Sequence, residues 1–199
     1  GMGAAVARRL AAEGASVAVF DRDATAAATV AKEIGGEPFD VDIRDSAAVA
    51  TAVDAVADRL GGLDVLVNVA GVVRYGEVPD FAEDEWDLVL DTNLKGTYLT
   101  AKYAIPHMRT RGGGAIVNFA SVQAFASQPL VAAYSASKGA VVAMTRTLAL
   151  DHAKDNIRVN CVCPGSVETP MLRYGAQQLD ASRDPAEVMK EWGSLHPIG

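Results

Sequence analysis

The chain has 199 residues, 50% of them hydrophobic, and a formal net charge of −7 at pH 7. That length suits one α/β domain with a sizeable core, and an acidic balance with no lysine or arginine run argues against nucleic acid or anionic lipid as a partner, since both are held by clustered positive charge. The longest apolar stretch, VLVNVAGVV, is too short to cross a bilayer and contains an asparagine, so no membrane span is expected and a small-molecule ligand is.

The opening GMGAAVARRL is alanine-rich and helix-favouring from Ala4 to Glu13, with Gly14 placed to end the helix. SVAVF then reads as a buried strand ending at Asp21. The cycle repeats with a helix at ATAAATVAKEI, a strand at EPFDV, a helix from Ser46 to Leu60 and a strand at DVLVNV. A longer helical region, AEDEWDLVLDTNLKGTYLTAKYAI, precedes the strand AIVNFA, and a helix through AAYSASKGA leads to the strand IRVNCV. Strands alternating with helices predict an α/β fold of the Rossmann-like kind, a doubly wound parallel sheet with helices on both faces. Residues 166–199 break the rhythm with Pro170, Gly175, Pro185, Gly193 and Pro197, and read as a mobile flap inside a single domain spanning residues 1–199.

Cys161 and Cys163 read as small apolar side chains of a buried strand, because residues two apart bridge awkwardly and a zinc site needs more ligands. His107, His152 and His196 are scattered and read as surface or loop residues, so no metal site is expected. No signal peptide is visible, which makes the cytoplasm the default compartment.

Tyr134 and Lys138 are four apart, a spacing that places both on one face of a helix. A free tyrosine with a pKa of about 10 is a poor base near neutrality, and a neighbouring ammonium favours its phenolate. Ser121 closes the strand AIVNFAS, where a hydroxyl at the carboxyl end of a parallel strand can bond a substrate oxygen. Asn93 is an amide inside a helix, able to hold a water or a backbone group. Gly1 and Gly3 before a helix form the end of a glycine-rich turn that lets pyrophosphate approach the helix N-terminus. Asp21, eighteen residues beyond Gly3, is placed at a strand end to accept hydrogen bonds from an adenosine ribose. The small residues of NVAG, Asn68 to Gly71, permit close approach of a cofactor.

The set NVAG, Asn93, Ser121, Tyr134-x-x-x-Lys138 and Pro164-Gly165, in order along the whole chain, resembles the compact single-domain branch of the short-chain dehydrogenase/reductase family. The resemblance implies an oxidoreductase that interconverts a secondary alcohol and a carbonyl by hydride transfer. Tyr134 then exchanges a proton with the substrate oxygen, Ser121 stabilises that oxygen, Lys138 lowers the tyrosine pKa and binds ribose, and Asn93 supports a water relay. It also implies that Gly1, Met2 and Gly3 hold the cofactor, that Asp42 and Ile43 contact adenine, that Asn68, Ala70 and Gly71 line the cofactor, and that Pro164, Gly165, Val167 and Thr169 flank the nicotinamide. Asp21 favours NAD over NADP, with Arg22 able to soften the preference. The flap residues Met171, Leu172, Tyr174 and Trp192 beside Arg173, Gln177 and Gln178 are compatible with a polyol, a sugar or a hydroxy acid as substrate. The family suggests a homotetramer, with a dimer as the other choice. Two further readings are a non-catalytic NAD-binding regulator and an epimerase or dehydratase sharing the Tyr/Lys pair. Relatives begin with a strand that would lie between those ending at Asp21 and Asn68 and continue beyond LHPIG, so the chain is expected to be a fragment of a longer protein, poorly folded and inactive alone.

Overall fold

The computed structural model describes residues 1–194, so His196 and Pro197 lie outside the described residues. Helix α1 (Met2–Ala12) opens the chain and runs directly into β1 (Ala18–Asp21). Asp23 then caps α2 (Ala24–Ile34) through a 3.0 Å bond from the Ala26 amide, and Gly35 at φ 66° ends it. Strand β2 (Glu37–Asp40) follows, and α3 (Ser46–Leu60) repeats the device with Asp45 as its N-cap and Gly61 at φ 75° as its stop.

The remaining elements are β3 (Val65–Asn68), α4 (Glu83–Leu90), α5 (Gly96–Thr110), β4 (Gly114–Phe119), α6 (Ala132–His152), β5 (Ile157–Val162), α7 (Pro170–Leu179) and α8 (Pro185–Ser194). Strands β1 and β2 pair in parallel with Asp21 opposite Asp40, and β3, β4 and β5 form a second parallel sheet with β4 central. No ladder joins β1 to β3 among the described residues, which leaves the expected gap between the strands ending at Asp21 and Asn68. The main core lies where α3 and α5 cover the sheet, around Val49, Val53, Leu99, Met108 and Ile116. A smaller one joins α6 to β5 through Val141, Val142, Cys161 and Cys163. Both cysteines are free and half-buried.

One expectation changes. The segment predicted as one regular helix carries a π-helical turn, Asp91–Lys95, between α4 and α5, and the helix continues to Thr110. Within the region read as a flap, two short helices pack on each other, buried at Gly175, Ala176 and Val188. Thr169 caps the first, its hydroxyl accepting from the Leu172 amide at 3.3 Å, and Pro170 takes the first helical position, where a missing N–H costs nothing. His107 and His152 sit in the last turns of α5 and α6 rather than in loops, and contact Asp54 at 2.7 Å and Asp155 at 3.1 Å. Among the described residues no acidic, histidine or cysteine cluster could hold a metal, and no helix is long and apolar enough to cross a membrane.

Candidate active site

All five strands run parallel in their sheets, so Asp21, Asn68, Ser121 and the Pro164–Gly165 segment emerge from carboxyl ends, the edge at which open α/β sheets bind ligands. Above β4 and β5 lies a cleft of about 390 Å³ lined by Met2, Ser121, Tyr134, Pro164, Gly165, Val167 and Thr169 from the predicted set. Met171, Leu172 and Trp192 close it from α7 and α8. Sequence reasoning missed Tyr75, Gln123 and Gln128 on its wall. The signal for Tyr75 is an aromatic residue a few positions after a strand that ends in small residues.

Helix α6 brings Tyr134 and Lys138 together one turn apart. Lys138 is only 4% exposed. Its Nζ donates to the Phe119 carbonyl at 2.7 Å and stands 5.7 Å from the centre of the Tyr134 ring. Burial lowers the Lys138 pKa from its ordinary value to about 8. Tyr134 departs from expectation: burial pushes its phenol above the ordinary value, and the neighbouring Ser121 hydroxyl offsets part of that rise. The Lys138 ammonium is directed at the Phe119 carbonyl and over the ring. Ser121 is 6% exposed, and its Oγ accepts from the Gln123 amide at 3.1 Å.

Asn93 is fully buried in the π-helical turn, and its amide is committed to protein groups. Oδ1 accepts from the Val72 amide at 2.8 Å, while Nδ2 donates to the Val72 carbonyl at 2.9 Å and to Ser137 Oγ at 3.0 Å. Of the two roles expected for this amide, the structure displays the backbone clamp. A Cβ added to Gly71 would lie 3.2 Å from Asn93 Oδ1 and 3.4 Å from Lys138 Nζ, so a glycine lets these two side chains converge beneath the loop after β3.

The predicted cofactor residues divide. Helix α1 begins at Met2 with no side-chain cap on its N-terminal amides, and a Cβ at Gly1 or Gly3 would lie 3.9 Å from Pro170 or Val69, so this helix end faces the loops beside the cleft. Asp21 is exposed, with Oδ1 accepting from the Asp23 amide at 3.0 Å. Ala70 is exposed just beyond β3. Asn68 turns its side chain elsewhere: Nδ2 donates to Asn118 Oδ1 at 2.9 Å, and Oδ1 accepts from Thr100 at 2.7 Å. Asn118 passes the network to Thr145 at 3.0 Å. The Asp42 carboxylate is occupied by Arg44 in a bidentate pair, which holds its pKa below the usual carboxylate range. Ile43 packs instead against Gly96, whose added Cβ would lie 2.5 Å from Ile43 Cδ1.

Residues 1–180 match the family model of short chain dehydrogenases. Over 98% of its length the chain is 40% identical to an inactive 2-(S)-hydroxypropyl-CoM dehydrogenase of Xanthobacter autotrophicus, covering 84% of that protein. Over 90% it is 39% identical to a meso-2,3-butanediol dehydrogenase of Serratia marcescens, covering 72% of that one. The solved aldohexose dehydrogenase of Thermoplasma acidophilum superposes with a TM-score of 0.88 at 34% identity, with 99% of this chain and 75% of that one aligned. A family model matching nine-tenths of a chain whose cleft is lined by Ser121 and Tyr134, with Lys138 one helical turn from the tyrosine, places the protein in the short-chain dehydrogenase/reductase family, enzymes that act on CH–OH groups with NAD(P).

Proposed function

We propose that the protein interconverts a secondary alcohol and a ketone with NAD as the preferred cofactor, Tyr134 serving as the proton donor and acceptor. The observation that carries this reading is the meeting of the Tyr134 phenol and the Ser121 hydroxyl at one cleft wall, with the Lys138 ammonium behind them. The dinucleotide, when bound, takes hydride from the alcohol carbon or returns it to the ketone. In the reducing direction the phenol, kept protonated by burial, gives its proton to the oxygen that gains charge, while the Ser121 hydroxyl holds that oxygen. Oxidation is the reverse, with the alcohol proton passing to the tyrosine oxygen. Asn93 fixes the Val72 backbone beside Gly71 and thereby the floor under Lys138.

Residues that fit the cofactor are the uncapped amides at Met2 and Gly3, which suit a pyrophosphate, and Asp21, whose exposed carboxylate suits a ribose diol and repels a 2′-phosphate. Gly71, Pro164, Gly165, Val167 and Thr169 are assigned to its nicotinamide end, with Asp42 and Ile43 at adenine through backbone and aliphatic contact. The substrate is a small alcohol or carbonyl compound. Relatives named for butanediol and aldohexose support a polyol or sugar. Exposed Tyr98 on α5 and Leu150 on α6 support a homo-oligomer built on those helices.

A relative named inactive keeps a non-catalytic NAD binder in view as the second reading. Tyr134→Phe separates the two. The enzyme reading expects alcohol-dependent NADH formation by the complete protein and its loss by at least about a thousandfold in the variant, with NAD affinity retained. A complete protein that binds NAD yet turns over no alcohol would support the binder.

A further inference from the structure

The cleft wall opposite Tyr134 has a chemical character that the reaction itself does not require. None of the described residues lining the cleft is charged. The nearest cation, Lys138, is buried beneath the wall and already donates to the Phe119 carbonyl. Arg74, next to the wall residue Tyr75, is tied to Glu85, and Arg173 on α7 is exposed and absent from the lining. A substrate carboxylate or phosphate in this cleft would therefore lose water without gaining a counter-charge from the protein, which is costly.

The wall is nevertheless not apolar. Half-buried Tyr75 and exposed Gln128 line the same cleft as Tyr134. Burial pushes the Tyr75 phenol up, so it is a hydrogen-bond donor at neutral pH. Its position is built: the Tyr174 ring packs on it with centroids 6.1 Å apart, and Gly175 leaves the space its hydroxyl occupies, since any Cβ there would collide with that oxygen. Gln128 is held through its own backbone amide, which donates to Gln123 Oε1 at 2.8 Å.

We infer that this cleft selects an uncharged substrate with a second oxygen close to the reacting carbon, a small diol or hydroxyketone, and that Tyr75 with Gln128 bonds that second oxygen. The inference rests on the oxidoreductase reading and narrows it by setting hydroxy acids aside. A wall built to bond a hydroxyl discriminates against an analogue without one, because its own polar groups are then left unpaired.

The test uses three substrates with the same reacting carbon: 1,2-butanediol, 2-butanol and 2-hydroxybutyrate. The expected kcat/KM for the diol exceeds that for either other compound by about tenfold or more. Tyr75→Phe should narrow the ratio of diol to 2-butanol to about threefold or less, and Gly175→Ala, which displaces the Tyr75 hydroxyl, should narrow it likewise. Preference for 2-hydroxybutyrate, or a diol ratio unchanged in Tyr75→Phe, overturns the inference. Binding with NAD present, read by Trp192 fluorescence in a Trp86→Phe background, tests the cleft independently of turnover. Saturation by the diol but not by 2-hydroxybutyrate, weakened in Tyr75→Phe, supports the inference even if no compound is oxidised, a result that would sink only the oxidoreductase reading. Equal or tighter binding of the acid overturns it.

Discussion

Lys138 is a cation held at 4% exposure, and its cost has a sign that can be read against pH. Its pKa is about 8 in the fold, against 10.5 for the free side chain. At pH 7 both folded and unfolded chains carry the ammonium, and the folded one bears its burial. Between the two values the unfolded chain holds the extra proton, so stability rises with pH across that window, by up to about 3 kcal/mol. Lys138→Met removes the effect. Urea unfolding should therefore show the variant at least as stable as the parent at pH 7, with the parent gaining on it toward pH 10; parallel curves would contradict the burial argument. Tyr134 is expected to titrate above 10 in the free protein, as the difference in phenolate absorbance between the parent and Tyr134→Phe. Adding NAD, whose nicotinamide ring is cationic, should lower that midpoint. A midpoint below 10 without cofactor would restore the simpler expectation that Lys138 already depresses it. Asn118 has a different role. It is fully buried and bonded to both Asn68 and Thr145, so Asn118→Ala strands two polar groups and should cost about 3 kcal/mol in the same unfolding assay. A loss below about 1 kcal/mol, the range of an exposed pair such as Arg8 and Glu33, would show the network to be dispensable. The meeting of Tyr134 and Lys138 was legible because a spacing of four sets both on one helix face. Asn118 and Thr145 were not, since a network between a strand and a helix leaves no pattern along the chain.

The helices and strands announced themselves where local rules agree. Asp23 with Gly35 and Asp45 with Gly61 bracket α2 and α3 through a side-chain cap at one end and a left-handed residue at the other. The π-helical turn at Asp91–Lys95 was invisible, because one widened turn inside an amphipathic stretch barely disturbs a period read over two dozen residues. It nevertheless holds the buried Asn93 against Val72 and leads into Gly96. In the flap, Pro170 and Pro185 mark the first turns of its two helices and not breaks. Gly96 is where one element limits another. With Ile43 Cδ1 2.5 Å from the place of a Cβ, Gly96→Ala must displace the Ile43 side chain from α5. If Ile43 forms the adenine end of the site, NAD affinity by calorimetry should fall several-fold, about 1 kcal/mol, while kcat at saturating NAD stays close to that of the parent. A fall in kcat with affinity unchanged would place the strain at the chemistry instead.

At the scale of the molecule the unusual feature is the division of five parallel strands into two ladders. The alternation of helices and strands foretold the fold class, and the family resemblance foretold the interval between the strands ending at Asp21 and Asn68, where relatives carry a further strand. It could not foretell how the cleft wall is furnished, since Tyr75 and the pair Gln123 and Gln128 come from segments far apart in the chain. The division has a physical consequence. Strand β4 is flanked by β3 and β5, so amides on both of its sides enter ladders and its interior residue Ile116 is fully buried. Among the described residues, strand β3 has a ladder only toward β4, and β1 only toward β2; successive amides along a strand point to opposite sides, so half of theirs meet no ladder partner there. Native-state hydrogen exchange should then show continuous slow exchange along Ala115–Phe119 and an alternation of slow and fast amides along Val65–Asn68 and Ala18–Asp21. Val65, 46% exposed although it lies in a strand, marks the start of the weaker edge. Uniform protection along β3 would mean that its open side is covered in solution by another strand, and the division would then belong to the isolated chain and not to the protein in water.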